Sequence, residues 1–295
     1  MNAAMLDRGL PAGESNGGRI NGMTGIAAFH DDSNVDFGTL MRQWRRRRGL
    51  SQLELAENGG VSQRHVSFLE SGRARPSRQM VLHLGELLDL PLRERNRLLH
   101  AAGFAAAYRE SRLDEPRLAE ARRALDLLLR QHEPFPAVVV DSTWTMQLAN
   151  QAAQRMVAFL LGPHEDVSQP VNLIKLPLHP QGARPYIANW PEIAGAMLHQ
   201  LQREALGNAA AASLLAEVRT YPDVDALWRG LDWESEPRPV IGFRIEKDGL
   251  TLHLITMIAT FGTPQDVTLQ DLRIESFLPA DEATERTLRH LASRT

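Results

Sequence analysis

Polar side chains able to hydrogen-bond with nucleic-acid bases are concentrated in one short stretch of this 295-residue chain. They are Gln63, Arg64, His65 and Ser67. Val66 and Leu69 lie three positions apart, which is the spacing of the apolar side of a helix, so the polar residues face the other side. Amide, guanidinium, imidazole and hydroxyl groups supply the donors and acceptors that base edges require. The pattern therefore predicts a helix that presents hydrogen-bonding groups outward.

Capping residues and glycines predict how this helix is positioned. Ser51 and Glu54 match a capping box, in which each side chain accepts a hydrogen bond from a backbone N–H at the helix start. A preceding helix should begin at Ser51 and end at Gly59-Gly60, where glycine tolerates a left-handed backbone. Ser62 then caps the second helix. The pattern predicts a helix-turn-helix, although an ordinary helical hairpin is the alternative.

The charge distribution favours DNA contact over the plain hairpin. Residues 36–103 contain twelve arginines, no lysine and seven acidic residues, a net charge of +5, whereas the whole chain carries −3 and the remainder −8. Phosphates attract only the basic part, and such affinity depends on salt because it comes from counterion release. Arg73, Arg75 and Arg78 follow the second helix and are candidates for phosphate contacts. Residues 46–48, all arginine, are either further contacts or a solvated helix face.

Residues 49–78 resemble the helix-turn-helix of the XRE and phage-repressor family, whose fold is lambda-repressor-like. The resemblance implies that the second helix enters the major groove, that Gln52 contacts a phosphate, and that Glu70 pairs with an arginine of the first helix, here Arg45. Burial would make this pair costly to break from one side. Gly59 departs from the family, in which a small apolar side chain is usual. The residues assigned to DNA are Gln52, Ser62, Gln63, Arg64, His65, Ser67, Arg73, Arg75 and Arg78.

Composition argues against several other kinds of site. The chain has no cysteine, which excludes disulfides and thiolate metal sites, and its ten histidines show no pair at a metal-binding spacing. Neither a metal nor a cofactor is predicted. No apolar run approaches the roughly 18 residues of a membrane helix, and the first 35 residues lack the apolar segment of a secretion signal. The protein is therefore predicted to be soluble and cytoplasmic, without a membrane partner.

The length and the changes in pattern predict two domains joined by a helix. Residues 1–35, which are rich in small polar residues, are predicted to be a disordered leader. Residues 36–103 should form a mainly α DNA-binding domain of five helices, residues 104–133 a linker and connecting helix, and residues 134–295 the second domain. The connecting helix either docks on the second domain or is a coupling or dimer helix that relays the ligand state to the DNA-binding domain.

Beyond residue 134 the pattern changes to β-strands separated by helices. PAVVVD and WTMQLAN indicate two strands, Asn150 caps the next helix, and helices fill residues 190–218. Strands return at PVIGFRIEK, GLTLHLITMIAT and LQDLRIESFLP, and a closing helix runs from Asp281 to Ser293. The second domain is thus predicted to be α+β, with an antiparallel sheet of about five strands.

The order of these parts resembles the MmyB-like subfamily of XRE regulators. The phrases that carry the resemblance are SQRHVSFLESGRARPSRQMVLHL, PLRERNRLLHAAGF, HEPFPAVVVD, LANQAAQ and HPQGARPYIANW. The resemblance spans residues 38 to about 290 and implies that the second domain is a PAS-like ligand-binding domain. It implies a small-molecule sensor without naming the ligand.

A ligand pocket should lie between the sheet and the helices inserted after its second strand. Its predicted apolar lining comprises Trp144, Met156, Ile187, Trp190, Phe243, Leu254 and Met257. Arg184 and Asn189 are the candidates to anchor a polar head group. For any single apolar residue plain core packing is the more common explanation, and the polar pair could instead stabilise an ordered loop. An apolar pocket with one arginine would favour a fatty-acyl-like or aromatic carboxylate ligand.

Together these patterns predict a transcriptional regulator and not an enzyme. It would bind a double-stranded, roughly palindromic DNA operator as a homodimer and sense a small molecule. The first alternative is a DNA-binding antitoxin or adaptor whose second domain binds a protein partner. The second is a self-cleaving Ser/Lys enzyme, for which Lys175 and Lys247 are the only lysines and Ser213 is the candidate nucleophile.

Overall fold

The computed structural model describes residues 35–162, 170–231 and 240–293. The predicted disordered leader, except for its last residue, lies outside the described residues. The N-terminal part consists of α1 (Phe37–Arg47), α2 (Gln52–Asn58), α3 (Gln63–Glu70), α4 (Arg78–Leu87) and α5 (Leu92–Ala101). These elements confirm the predicted five-helix fold.

Local hydrogen bonds fix the ends of α2 and α3 as the sequence predicted. The Ser51 hydroxyl accepts from the Glu54 N–H at 3.1 Å, while the Glu54 carboxylate accepts from the Ser51 N–H at 2.7 Å. Gly60 then adopts a φ of 62°, which a residue with a Cβ rarely adopts, and Ser62 caps α3. The turn between the two helices is therefore specified by residues within it.

A single apolar core joins the five helices. Its fully buried members include Met41, Leu55, Val66, Leu84, Leu98 and Leu99. Gly38 allows α1 to approach α3, because a Cβ at this position would lie 2.6 Å from the carbonyl oxygen of Leu69. This close contact fixes the inward face of α3 and leaves its opposite face outward.

The segment after α5, predicted as a linker, is anchored on both sides. The Asn96 side chain accepts hydrogen bonds from the N–H groups of Ala107 and Tyr108, each at 3.0 Å. Farther along, the Ser111 hydroxyl donates to the buried carboxylate of Asp266 at 2.7 Å. The sequence could not show this, because Ser111 and Asp266 are far apart in the chain and meet only in the fold.

The second part begins with a 3₁₀ turn at Pro116–Leu118 and contains the five strands of one sheet. In chain order the elements are α6 (Ala119–Gln131), β1 (Ala137–Val140), β2 (Met146–Ala149), α7 (Gln151–Leu161), α8 (Lys175–Leu178), α9 (Trp190–Ala205), α10 (Ala209–Val218), α11 (Val224–Arg229), β3 (Phe243–Lys247), β4 (Leu250–Ala259), α12 (Val267–Asp271), β5 (Arg273–Pro279) and α13 (Glu282–Ala292). The strand order is β2-β1-β5-β4-β3, antiparallel at every pairing. The five strands confirm the predicted antiparallel sheet, and α7 to α11 are inserted between β2 and β3.

At β1 both faces of the sheet are covered, which explains the continuous apolar run of this strand. Val138 joins the core shared with the inserted helices. Val139 points to the other face and packs with Leu125 and Leu129 of α6. Of the two alternatives for the connecting helix, docking on the second domain is the arrangement in the structure.

The last predicted strand run, LQDLRIESFLP, divides into a helix and a strand. Asp266 starts α12, because its side chain accepts a hydrogen bond from the Thr268 N–H at 3.0 Å. The strand β5 therefore begins at Arg273. Similarly, β3 begins at Phe243, and Pro239 of the predicted run lies outside the described residues.

Candidate functional site

The outward face of α3 carries the side chains predicted to read DNA. Val66 and Leu69 are buried in the core, at 0% and 1% exposure. Of the predicted contacts, the exposed ones are Ser62, Gln63 and Arg64, and the half-buried ones are His65 and Ser67. The helix therefore presents an amide and a guanidinium group at its N-terminal end, which is the end that contacts bases in helix-turn-helix complexes.

Arginines surround this face and are accessible. The guanidinium carbons of Arg64 and Arg73 lie 5.1 and 6.0 Å from the centroid of the Phe68 ring, a cation–π arrangement that orients both groups. Arg75 and Arg78 in the following loop and helix start are exposed. Positive charge is thus available beside α3 for phosphate contacts.

A buried network behind α3 holds it on the domain. The guanidinium of Arg45 donates to both carboxylate oxygens of Glu70, at 2.5 and 3.0 Å, which confirms the predicted pair. The Gln52 amide donates to the same carboxylate at 2.8 Å, so this predicted phosphate contact is half-buried and already holds Glu70. Burial would raise the pKa of Glu70, but the hydrogen bonds from Arg45 and Gln52 and the charge of Arg42 keep it below its usual range.

The run of arginines at the end of α1 divides into two roles. Arg48 donates to the carbonyl of Leu88 at 2.8 Å and also to the carbonyl of Asp89, which satisfies the C-terminal end of α4. Arg46 and Arg47 are exposed. Arg48 is therefore a structural residue, and only its two neighbours remain candidates for a solvated face or a DNA contact.

An apolar cavity of about 80 Å³ lies between the sheet and the inserted helices, where a pocket was predicted. Its walls come from β1, β3, β4 and β5 on one side and from α7, α8, α9 and the segments between them on the other. Four of the nominated residues line it, namely Met156, Ile187, Phe243 and Leu254. The other five do not, namely Trp144, Arg184, Asn189, Trp190 and Met257.

Two of these five residues fail for reasons of packing. Met257 is three positions from Leu254 in β4, so it points to the opposite face, where it is 61% exposed. Trp144 is buried, but its indole N–H donates to Glu204 at 2.9 Å and its ring lies 4.8 Å from the guanidinium of Arg273. It belongs to the neighbouring helical core and not to the cavity wall.

The predicted anchor Arg184 is engaged elsewhere. Its guanidinium donates to the carboxylate of Asp223 and to the carbonyl of Pro222, both at 2.7 Å, and lies 3.9 Å from the centroid of the Trp190 ring. The Trp190 indole in turn donates to the carbonyl of Pro177 at 2.9 Å. These contacts fit an ordered loop, and they remove the basis for expecting a carboxylate ligand.

Asn189 also has a structural role. Its side chain donates to the carbonyl of Gly242 at 2.9 Å and accepts from the N–H of Arg244 at 3.0 Å. It thereby joins the start of α9 to the start of β3. Both polar residues nominated for the pocket are thus explained by the alternative that the sequence left open.

Sequence reasoning missed Glu275, which lines the cavity from β5. The residue is 7% exposed, and burial raises the pKa of its carboxyl to about 7 although the charge of Arg273 lowers it. It shares a face with Phe277, two positions along the strand. The available signal was an acidic residue at an inward position of an otherwise apolar strand run.

Among the described residues, the two parts of the chain touch at α12 and at the corner after α9. Arg93 of α5 binds Glu110 at 2.6 Å and Asp271 of α12 at 2.8 Å. At the second place the ring of Trp44 packs so closely on Gly207 that a Cβ there would lie 3.2 Å from it. The DNA-binding helices therefore rest on α12 and on the corner between α9 and α10.

The folds and the two sites define a class of protein, namely a DNA-binding regulator with a sensory domain. The model of a helix-turn-helix domain matches residues 36–98, and the model of the MmyB-like transcription regulator ligand-binding domain matches residues 121–291. The second match covers more than half of the chain, so the protein belongs to the family of MmyB-like transcription regulators. Both matches together describe a ligand-responsive transcription regulator.

Other comparisons add little. No curated protein matches the chain. Among solved structures, the PAS domain from Bordetella pertussis BvgS is similar at 17% identity and a TM-score of 0.25, covering 59% of this chain and 99% of that domain. Within the described residues, no helix has both the length and the apolar character to cross a membrane, and no group of three or more acidic or histidine side chains is placed to hold a metal.

Proposed function

We propose that the protein binds a specific DNA operator through α3 and that a small, mainly apolar molecule in the cavity changes this binding. The proposal rests on the observation that one short stretch of chain contacts both the cavity and the DNA-binding part. Glu275 in the cavity wall and Asp271, which binds Arg93 of the DNA-binding part, are four residues apart on one stretch of chain. We place the functional division at residues 36–103 and 134–295, with the anchored segment between them.

The route from cavity to DNA runs along α12. Gln270 accepts a hydrogen bond from the N–H of Leu92, the first residue of α5, at 2.5 Å. At the start of α12, the Val267 N–H donates to the carbonyl of Arg109 at 2.8 Å. A ligand that shifts β5 would therefore shift α12 and with it the start of α5, and such a differential contact is what ligand coupling requires.

The operator is proposed to be a pair of half-sites bound by a homodimer. One helix-turn-helix offers few base contacts, whereas paired copies read half-sites ~34 Å apart and gain affinity and specificity together. Ligand-driven movement at α12 would then alter the spacing of the two recognition helices. The cavity supports this sensor over a protein-binding adaptor, because an adaptor that grips a protein with its surface needs no internal cavity.

The self-cleavage alternative has no support from the positions of its residues. Ser213 is exposed on α10. The Lys247 ammonium donates to the carbonyls of Phe159 and Leu160 at 2.6 and 3.1 Å and so satisfies the end of α7. A lysine held as a hydrogen-bond donor does not serve as a general base.

The proposal can be tested without knowing the ligand, by filling the cavity with a side chain. Ala153 lines the cavity from α7, so Ala153→Leu should mimic an occupied state and change affinity for an operator selected from random DNA by about fivefold or more. Ala158→Leu adds the same atoms to the exposed side of the same helix and should have no effect. Operator affinity is measured by fluorescence anisotropy at fixed salt, because phosphate contacts make it salt-dependent.

Two results would contradict the proposal. If selection returns no preferred sequence, α3 does not read bases. If Ala153→Leu folds normally by circular dichroism and binds the operator as wild type does, occupation of the cavity is not coupled to DNA.

A further inference from the structure

Glu275 is the one ionisable side chain among the described residues that line the cavity. It lies in the centre of the sheet, where Val138 of β1 and Ile258 of β4 are its partners on either side. The other lining residues are apolar, and they include Met156, Met197 and Phe277. A carboxyl in such surroundings has lost its hydration and needs a donor in exchange.

The neighbouring Arg273 does not supply this donor to Glu275. Arg273 is two positions away, but its guanidinium donates to the carboxylate of Glu204 at 2.7 Å and stacks on the Trp144 ring. The buried Glu275 carboxyl keeps a raised pKa, about 7, which agrees with a group lacking close compensation. A bound cation or N–H donor would replace the hydrogen bonds from water that the carboxylate lost on burial.

We propose that the cavity selects a small alkylamine-like ligand, with its ammonium group on the carboxylate of Glu275 and its hydrocarbon part among the apolar side chains. This inference rests on the proposed sensor function and names its ligand class. A carboxylate ligand would place like charges together in a low-dielectric site, which disfavours it, whereas an alcohol offers a single neutral donor. The volume of about 80 Å³ limits the hydrocarbon part to a few carbons unless the flexible methionines move.

The test uses three probes of equal length, n-butylamine, 1-butanol and butanoate. Their dissociation constants for the full chain are measured by NMR titration at about pH 8, where Glu275 is ionised and the amine is still cationic. In wild type the amine should bind at least tenfold more tightly than butanoate, with the alcohol between them. Glu275→Gln should weaken the amine about tenfold or more and change the alcohol by less than about threefold, since charge-assisted hydrogen bonds are roughly twice as strong as neutral ones.

Control variants separate the cavity from the surface and from misfolding. Glu246→Gln removes the same charge from an exposed position on β3 and should leave amine binding unchanged. Retained alcohol binding shows that the Glu275→Gln cavity is intact. Ala153→Leu should abolish binding of all three probes.

Each failure has its own meaning. If butanoate binds best, or if Glu275→Gln weakens the amine and the alcohol equally, the amine inference is overturned while a ligand-binding cavity stands. If no probe binds wild type, or if Ala153→Leu leaves binding unchanged, the cavity is not a ligand site and the sensor proposal falls together with this one.

Discussion

Glu70 of the DNA-binding part and Glu275 of the second part are both buried, and their surroundings shift the carboxyl pKa in opposite directions. Glu70 is surrounded by donors from Arg45 and Gln52, and its pKa is lowered despite burial. Glu275 faces an apolar cavity, and burial raises its pKa to about 7. The first carboxylate is saturated with partners and holds α3 on its scaffold.

This difference shows how to distinguish a buried charge that stabilises the fold from one that could bind a ligand. A buried carboxylate that accepts all its hydrogen bonds from the protein holds the fold in one arrangement and cannot accept a hydrogen bond from a ligand. A buried carboxyl that opens on a cavity has capacity for a donor that the chain does not supply. The contrast is in the partners and not in the depth of burial, because both side chains are less than a tenth exposed.

The largest expected effect comes from breaking the saturated network on one side. Arg45→Ala should lower the free energy of unfolding by about 3–5 kcal/mol, because it leaves the buried Glu70 carboxylate without its bidentate partner. Urea unfolding followed by circular dichroism measures the loss. A paired Arg45→Met and Glu70→Leu variant should recover most of it, and equal losses in the two variants would show that packing and not charge is responsible.

Replacing Glu275 should raise the free energy of unfolding relative to wild type, by an amount that depends on pH. Because folding raises the pKa of Glu275 from about 4.5 to about 7, its protonated form favours the folded state, and this contribution is lost as pH rises through 7. From about pH 5 to about pH 8, wild type should therefore lose about 2–3 kcal/mol of unfolding free energy relative to Glu275→Gln. Parallel stability curves across that range would mean that Glu275 has a partner.

The exposed face of α3 should respond in DNA binding and not in stability. Arg64→Ala is expected to weaken operator binding by about 1–3 kcal/mol and to relax preference at one base pair. Binding to operators with single base-pair changes, at one salt concentration, provides the measurement. A loss of equal size on every sequence would identify Arg64 as a phosphate contact.

The smallest effect is expected at the contact between the domains. Arg93→Ala removes the bridge between α5 and Asp271 and should change the effect of the Ala153→Leu substitution on operator affinity by about 0.5–2 kcal/mol. The comparison requires both single variants and the double variant. Arg122→Ala, which removes an ion pair within α6, is the matched control. Additive effects would show that coupling does not pass through α12.

The sequence alone determined the features that depend on neighbours in the chain. The capping box at Ser51, the glycine turn and the alternating apolar positions of α3 act over a few residues, so they predicted the helix-turn-helix. Strand runs, their number and the Asn150 cap were likewise local. The Arg45–Glu70 pair was also correct, but it came from family resemblance.

Tertiary structure decided every feature that depends on distant partners. The sequence suggested Arg184 as a ligand anchor, but in the structure it binds Asp223 from another loop. The sequence placed Ser111 in a linker, but its hydroxyl donates to Asp266. In the sequence Glu275 is one acidic residue of a strand, and only the fold encloses it between β1, β4 and the inserted helices. A side chain's chemistry is set by what surrounds it, and those surroundings come from chain segments that only folding brings together.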